Sequence, residues 1–124
     1  RLGVGEVGKV LVPARVPEFV GLDGGGGAEG SEGGGSPAPK AKDVACGREH
    51  TLIVSERGLV FVCGPGTLGR LGLGPGTEDV LYPTLVSVEG SGLEHEVVVS
   101  ISGGEMHSIV ACASGSIFTW GFGE

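Results

Sequence analysis

The chain has 124 residues and a formal net charge of −7, a length that suits one small domain. Its eight basic residues are scattered, which disfavours direct binding to nucleic acid or to an anionic membrane surface. No segment reaches the roughly 18 consecutive apolar residues that a membrane-spanning helix needs. Hydrophobic residues make up 40% of the chain and aromatic residues only 5%, which predicts a core of Val, Leu and Ile.

The N-terminal part divides into an extended segment and a Gly-rich segment. Residues 9–20 are predicted to be extended, because Pro13 and Pro17 exclude a helix and suit an edge or outer strand. Residues 23–39 contain eight Gly and no bulky apolar side chain. Such a stretch cannot offset its own ordering entropy, which predicts a disordered insertion. A linker between domains is the alternative, but repeated motifs flank the stretch closely.

A β-hairpin is predicted over residues 51–63. Its two arms show the period-two alternation that is typical of strands. The polar turn between them ends at Gly58, which adopts positive φ without a Cβ clash. Both faces of the two arms are largely apolar, so we expect both to be covered, as in a sheet stacked between two others.

The segment after this hairpin predicts a connection and two further strands. Residues 64–76 are rich in Gly and join the hairpin to an outer strand that we place at residues 85–88. A polar loop then leads to residues 97–101, which are predicted to enter the next strand.

A second copy of the hairpin unit lies 57 residues further along the chain. His107 follows His50 at this distance, and Gly121 follows Gly64. Repetition at a fixed period indicates stacked units, each unable to bury its own faces alone. The positions that we expect to hold the units together are Gly47, His50, Thr51, Gly58, Gly64, Gly72, Gly104, His107, Ser108, Gly115, Trp120 and Gly121.

The order of these submotifs resembles the repeat of the regulator of chromosome condensation family. One apolar and two small residues precede Gly47, His50-Thr51 follows, and a turn Gly then separates two apolar arms. Residues 70–74 and 80–84 are similar to the second half of that repeat, and residues 1–5 and 10–13 to the same half of a preceding one. The resemblance implies an all-β partial β-propeller, with about two four-stranded antiparallel blades of a seven-bladed ring.

This resemblance divides the chain into four parts. They are the second half of a preceding repeat (1–22), the Gly-rich disordered insertion (23–39), one complete repeat (40–99) and the first half of the next repeat (100–124). We therefore expect the sequence to be a piece of a longer polypeptide. Two blades cannot close a ring, so their exposed faces and edges are expected to meet the remaining blades or a second copy.

A GxGxxG match at residues 64–69 outlines a dinucleotide-binding turn. That chemistry needs a helix N-terminus to receive the phosphates. The residues that follow contain too many glycines, and a proline, for a stable helix. A structural turn is therefore the preferred interpretation.

Neither the histidines nor the cysteines form a recognisable reactive site. His50 and His107 could be bases or metal ligands, but a residue repeated once per unit is expected to bond neighbouring loops. His95 lies in a polar loop and is expected to be exposed. The three cysteines lack the spacing of a zinc site and are interpreted as small apolar thiols, which fit a reducing compartment. Acidic pairs at 78–79 and at 94 and 96 are interpreted as solvated loop residues. No catalytic residue, cofactor or metal is predicted.

The sequence favours a protein–protein interaction module without enzymatic activity, whose blade-end loops bind a protein partner. The resemblance implies one alternative, a guanine-nucleotide exchange factor for a Ran-type small GTPase, whose loops would displace the nucleotide. A propeller appended to a ubiquitin ligase or a kinase is a further alternative. Cys63, Pro65, Thr67 and Arg70 depart from the residues common in the repeat. The expected location is the cytoplasm or the nucleus.

Overall fold

The computed structural model describes residues 2–5, 8, 11–16, 19, 39–74, 76–86 and 90–123. Across these residues the fold is all-β, as predicted. The strands are β1 (Ala41–Cys46), β2 (Thr51–Ser55), β3 (Val60–Gly64), β4 (Val80–Leu85), β5 (Val98–Gly103), β6 (His107–Cys112) and β7 (Ile117–Gly121). Two 3-10 helices of three residues each, Thr67–Gly69 and Leu93–His95, lie in the connections. Neither of these short helices is long or apolar enough to cross a membrane.

The strands form two antiparallel sheets in which chain neighbours pair. The first sheet has the order β1-β2-β3-β4 and the second the order β5-β6-β7. Each sheet carries an irregularity near the start of its first strand, between Ala41 and Asp43 in one and between Val98 and Ser100 in the other. These irregularities fall at matching positions of the two copies. The repeat therefore extends to the details of strand pairing.

The hairpin predicted over residues 51–63 is confirmed. Leu52 pairs with Val62, and Val54 with Val60, across β2 and β3. Gly58 has φ +83° in the turn, where any residue with a Cβ would be strained. β2 is buried after its first residue and β3 is buried throughout, so both faces of this hairpin are covered as expected.

The outer strand predicted at residues 85–88 is wrong. The fourth strand is β4, Val80–Leu85, paired with β3 through Phe61 and Leu85 and through Gly64 and Val80. Pro83 lies within this strand. β4 is an edge strand, where a missing backbone donor is tolerated. Residues 87–89 lie outside the described residues.

The two sheets pack face to face around one apolar core. The first sheet contributes Leu52, Val54, Val60 and Val62, and the second contributes Val98, Ile101, Val110 and Cys112. Leu71 and Val86 complete the buried cluster from the loops. Backbone hydrogen bonds join the sheets at both ends, from Val98 N to Gly58 O (3.0 Å) and from Arg48 N to Gly104 O (3.3 Å).

The other face of the first sheet is covered from the N-terminal side. The ring of Phe19 meets that of Phe61 edge to face, with centroids 4.9 Å apart. Gly5 N donates to Leu81 O at 3.1 Å. Residues 11–16, within the segment predicted to be extended, form no regular element. The Gly-rich stretch at residues 23–38 lies outside the described residues.

Candidate functional site

In both sheets, a Gly-x-x-His turn joins the first strand to the second. Gly47 N donates to His50 O, and Gly104 N to His107 O, each at 2.8 Å. A Cβ added to Gly47 would lie 2.1 Å from Cε1 of His50, and one added to Gly104 would lie 2.1 Å from Cε1 of His107. Each imidazole therefore packs directly against its own turn glycine, and only glycine fits there.

A chain of hydrogen bonds crosses the junction between the sheets. Nε2 of His50 lies 2.8 Å from Oγ of Ser108, and that hydroxyl donates to the backbone carbonyl of Arg70 at 3.0 Å. The indole N–H of Trp120 donates to the same carbonyl, also at 3.0 Å. The first sheet and its loop thus supply His50 and Arg70, and the second sheet supplies Ser108 and Trp120.

The direction of these bonds fixes the tautomer of His50. Ser108 has one hydroxyl proton, and the carbonyl of Arg70 accepts it. Nε2 of His50 must then carry a proton and donate to the serine oxygen. Nδ1 is unprotonated in the neutral ring, and it is a buried atom without a hydrogen-bond partner. The junction therefore holds a neutral imidazole with one unsatisfied nitrogen.

Electrostatics keep this imidazole neutral. Burial lowers the pKa of His50 below its usual value, and the guanidinium of Arg70 lowers it further. A hydrogen bond to the backbone of His107 acts in the opposite direction, and the charge of His107 adds a small lowering effect. The net direction is downward, so the ring is uncharged at neutral pH.

The side chain of Arg70 is buried and forms hydrogen bonds within the protein. Its Nε donates to Thr67 O and its Nη2 to Oγ1 of Thr67, both at 3.0 Å. Nη1 pairs with the carboxylate of Glu49 at 3.2 Å, and only 3% of the arginine side chain is exposed. This guanidinium links the Thr67–Gly69 loop to the Gly-x-x-His turn through Glu49. We therefore interpret it as stabilising the junction and not as a ligand-binding group.

A second ion pair lies on the surface above the junction. Arg48 and Glu105 occupy the same position in consecutive turns, and their side chains form a salt bridge. Both side chains are 62% exposed, so water screens the pair.

Two exposed apolar side chains and the half-buried Met106 lie beside this junction. Leu68 has φ +61° and is the one non-glycine residue with positive φ among the described residues, and 47% of its surface is exposed. Phe122 is 48% exposed, and its backbone N–H donates to the carbonyl of Met106. A Cβ on Gly69 would lie 4.0 Å from Cα of Gly121, so the two segments are neighbours. We call Leu68, Met106 and Phe122 the apolar rim.

The predicted motif positions fall at turns, strand ends and sheet contacts. Gly58 and Gly115 lie in the hairpin turns with positive φ. A Cβ on Gly64 would lie 2.8 Å from Glu49 O, and one on Gly121 would lie 2.4 Å from Met106 O. Gly72 lies against the Trp120 indole, where a Cβ would be 2.8 Å from Nε1.

The structure brings some of the predicted histidines and hydroxyls together and leaves others apart. His50, Ser108 and Trp120 meet at the junction. His107 and His95 are exposed, and Thr51 pairs with Cys63 across β2 and β3. Sequence reasoning noted Arg70 only as a departure from the repeat and assigned it no role, although the same Arg-Leu-Gly-x-Gly pattern also begins at Arg1.

The GxGxxG match forms a tight loop that is packed on protein. A Cβ on Gly66 would lie 2.3 Å from Thr77 O, and Gly66 N donates to Oδ1 of Asp79 at 3.2 Å. A three-residue 3-10 turn, Thr67–Gly69, lies within the match itself. The glycines of the loop at residues 64–69 therefore permit close backbone packing.

Two family models match this chain. Both are described as the regulator of chromosome condensation (RCC1) repeat, and they match residues 57–111 and 41–70. Residues 41–111 belong to the RCC1 repeat family. The partial β-propeller implied by the sequence resemblance is thereby confirmed.

Named relatives and solved structures share this repeat. The chain is 39% identical over 82 residues to the secretion-regulating guanine nucleotide exchange factor of Bos taurus, covering 66% of the chain and 17% of that protein. It is 32% identical over 124 residues to the ultraviolet-B receptor UVR8 of Arabidopsis thaliana, covering 100% of the chain and 23% of the receptor. The crystal structure of Prp20p from Saccharomyces cerevisiae matches with a TM-score of 0.54 and 26% identity, covering 64% of the chain and 19% of Prp20p. The chain thus spans about one fifth of the length of these curated relatives.

Proposed function

We propose that these RCC1 repeats form a protein–protein interaction module whose partner binds the apolar rim. The observation that carries the proposal is Leu68, a large apolar side chain that is exposed and has a left-handed backbone conformation. Such a conformation costs free energy for a residue with a Cβ and is found preferentially at functional sites. Leu68 is only partly buried within the described residues.

The surroundings of the rim suit a preorganised contact surface. Arg70 fixes the loop that carries Leu68 by hydrogen bonds to Thr67. The neighbouring residues Glu78 and Asp79 are exposed and acidic. A partner with an apolar pocket bordered by basic side chains would match this surface in shape and charge.

Leu68→Gly tests this proposal without disturbing the fold, because glycine adopts positive φ freely. We expect Leu68→Gly with Phe122→Ser to abolish stable binding of partners recovered by cross-linking from the source cells. Val44→Thr is the matched control, since Val44 is 58% exposed on β1 and away from the rim. Retained binding in the rim variant, or lost binding in the control, would contradict the proposal.

A guanine-nucleotide exchange factor for a Ran-type small GTPase is the second candidate. It is favoured by the similarity to the secretion-regulating guanine nucleotide exchange factor of Bos taurus, and Prp20p has been studied for its binding to Gsp1p and histones. Exchange requires loops that displace a bound nucleotide and no covalent chemistry. The test is the rate of nucleotide release from the GTPase when the full-length protein is added. An unchanged rate would remove this candidate and leave partner binding at the rim unaffected.

We infer the remaining organisation from the same repeat. The boundaries at 22, 39 and 99, the Gly-rich insertion and the architectural role of the motif residues stand as proposals. Boundary positions are tested by limited proteolysis, which should cleave first within residues 23–39. The three cysteines form no disulfide within the described residues, which supports action in a reducing compartment, either the cytoplasm or the nucleus.

A further inference from the structure

The buried nitrogen of His50 is the one feature of the junction that its architecture does not explain. The residue is 1% exposed, yet Nδ1 has no hydrogen-bond partner. Buried polar atoms are nearly always satisfied, so such an exception calls for a specific explanation. Gly47 lies directly beside Nδ1, because a Cβ added to this glycine would lie 2.4 Å from that atom.

Neutrality is the condition under which this site is stable. A neutral ring leaves only an unused acceptor at Nδ1, which is a modest cost. A protonated ring would place an N–H donor without an acceptor, and a full positive charge, in a buried position. Nε2 cannot relieve this change, because its proton is already donated to Ser108.

The charged groups around the ring do not offset a second proton. On its own side, Arg70 is positive, and the carboxylate of Glu49 is already paired with Arg70. On the facing sheet, His107 is the neighbouring titratable group. The carboxylate of Glu105 is paired with Arg48. The carboxylates of the two turns, Glu49 and Glu105, are therefore each engaged by a guanidinium.

We propose that the junction is a proton-sensitive joint between consecutive repeats, in which a proton taken up at Nδ1 of His50 expels the ring and separates Ser108 and Trp120 from the first sheet. The proton comes from solvent, and no covalent bond changes. Protonation would weaken the contact between the two sheets, while the backbone hydrogen bonds between strands within each sheet would remain. This inference does not depend on the proposed function.

The sign of the pH dependence follows from the folded and unfolded states. The unfolded chain has an ordinary histidine with a pKa of 6.5, and the folded junction lowers the pKa of His50. Above pH 6.5 both states hold the ring neutral, so the junction has its full stability. As the pH falls below 6.5 the open state takes up protons first, and stability is lost until the pH reaches the lowered pKa of the folded state.

The chain contains a built-in reporter of this joint. Trp120 is its single tryptophan, and the indole donates to the Arg70 carbonyl that also accepts from Ser108. The experiment follows the fluorescence emission of Trp120 in the 124-residue chain from about pH 8 to about pH 5, the range in which histidine changes charge. Far-UV circular dichroism is recorded in parallel as a measure of the sheets.

We expect the emission maximum to shift to longer wavelength below pH 6.5 while the strand signal persists. His50→Gln should abolish this shift, because the amide keeps a donor near the position of Nε2 and does not titrate. His107→Gln is the matched control, since it removes the exposed histidine of the equivalent turn, and it should keep the shift. An emission maximum that is constant over the range, or an equal shift in His50→Gln, would overturn the proposal.

Nuclear magnetic resonance of the histidine nitrogens gives a second measurement that needs no variant. In the unmodified chain we expect Nδ1 of His50 to stay unprotonated below pH 6.5, the usual pKa of a histidine. Its titration should coincide with the shift in Trp120 emission. Protonation of His50 at or above pH 6.5 would also overturn the proposal.

Discussion

The two hairpins share one sequence design, yet they differ in how much of it is buried. Leu52 and Val60 on the first hairpin are at most 3% exposed. Their counterparts 57 residues later, Ile109 and Ile117, are 37% and 65% exposed. The strand pairing is the same in both, so the hairpin pattern determines the strands. Burial is determined by the neighbour that packs against them.

The first sheet is buried because the second sheet packs against it. The second sheet covers the face that carries Leu52 and Val54, while its own matching face points outward with Ile109 and Ala111. In a protein of stacked repeats, such a face is where a further unit packs. Comparison of matched positions therefore measures what one repeat contributes to the stability of the next.

The largest expected difference is between Leu52→Ala and Ile109→Ala. We expect Leu52→Ala to lower the free energy of unfolding by about 3 kcal/mol, since it leaves a cavity in a closed core. Ile109→Ala should cost about 1 kcal/mol, because its side chain is partly hydrated already. Urea denaturation of both variants measures the difference.

Equal losses in the two variants would contradict this comparison. They would mean that Ile109 is buried in solution by another copy of the chain. A dependence of the urea midpoint on protein concentration would identify that case.

The next largest effect concerns Arg70. Replacing it by Met removes hydrogen bonds to Thr67 and the pairing with Glu49. We expect the free energy of unfolding to fall by about 2 kcal/mol, the scale of a lost hydrogen bond to a charged group. The measurement is thermal or urea denaturation at neutral pH. A loss no larger than that of a surface arginine would show that the guanidinium is solvated.

A smaller effect is expected at the position where the two hairpins differ most in residue type. Trp120 lies against Gly72, whereas its counterpart Cys63 lies close to Gly3, where a Cβ would be 3.3 Å from the sulfur. Trp120→Phe keeps most of the ring and removes the N–H that bonds to Arg70 O. We expect a loss of about 1 kcal/mol, because Ser108 still satisfies that carbonyl. Stability equal to that of the unmodified chain in urea would refute the role of this bond.

The smallest effect is expected at the surface pair. Arg48→Ala should lower the free energy of unfolding by about 0.5 kcal/mol or less. The effect should shrink further in high salt, because salt screens exposed charges. Urea denaturation at low and high salt checks this. A loss as large as that of Arg70→Met would contradict the distinction between the two ion pairs.

Sequence reasoning succeeded where structure is local. Period-two alternation and Gly58 located the first hairpin, and the offset of 57 located the second. It failed at the bounds of β4, because these depend on the pairing of β4 with β3, which is a property of the whole sheet. The junction was also missed in part. It depends on the backbone carbonyl of Arg70, which accepts hydrogen bonds from Ser108 and Trp120 of the other sheet. Every residue has a backbone carbonyl, so no sequence pattern indicates which one forms such a contact.

The ion pair between Arg48 and Glu105 has a consequence for how the chain assembles. Repeats this similar can dock in the wrong order, a recognised failure of repeat proteins during folding. If the first sheet met a copy of itself at this position, arginine would face arginine, and two copies of the second sheet would bring glutamate against glutamate. Juxtaposed like charges disfavour the incorrect partner even when the correct pair adds little stability. A contact that is nearly neutral for the stability of the finished fold can thus specify which sheet follows which.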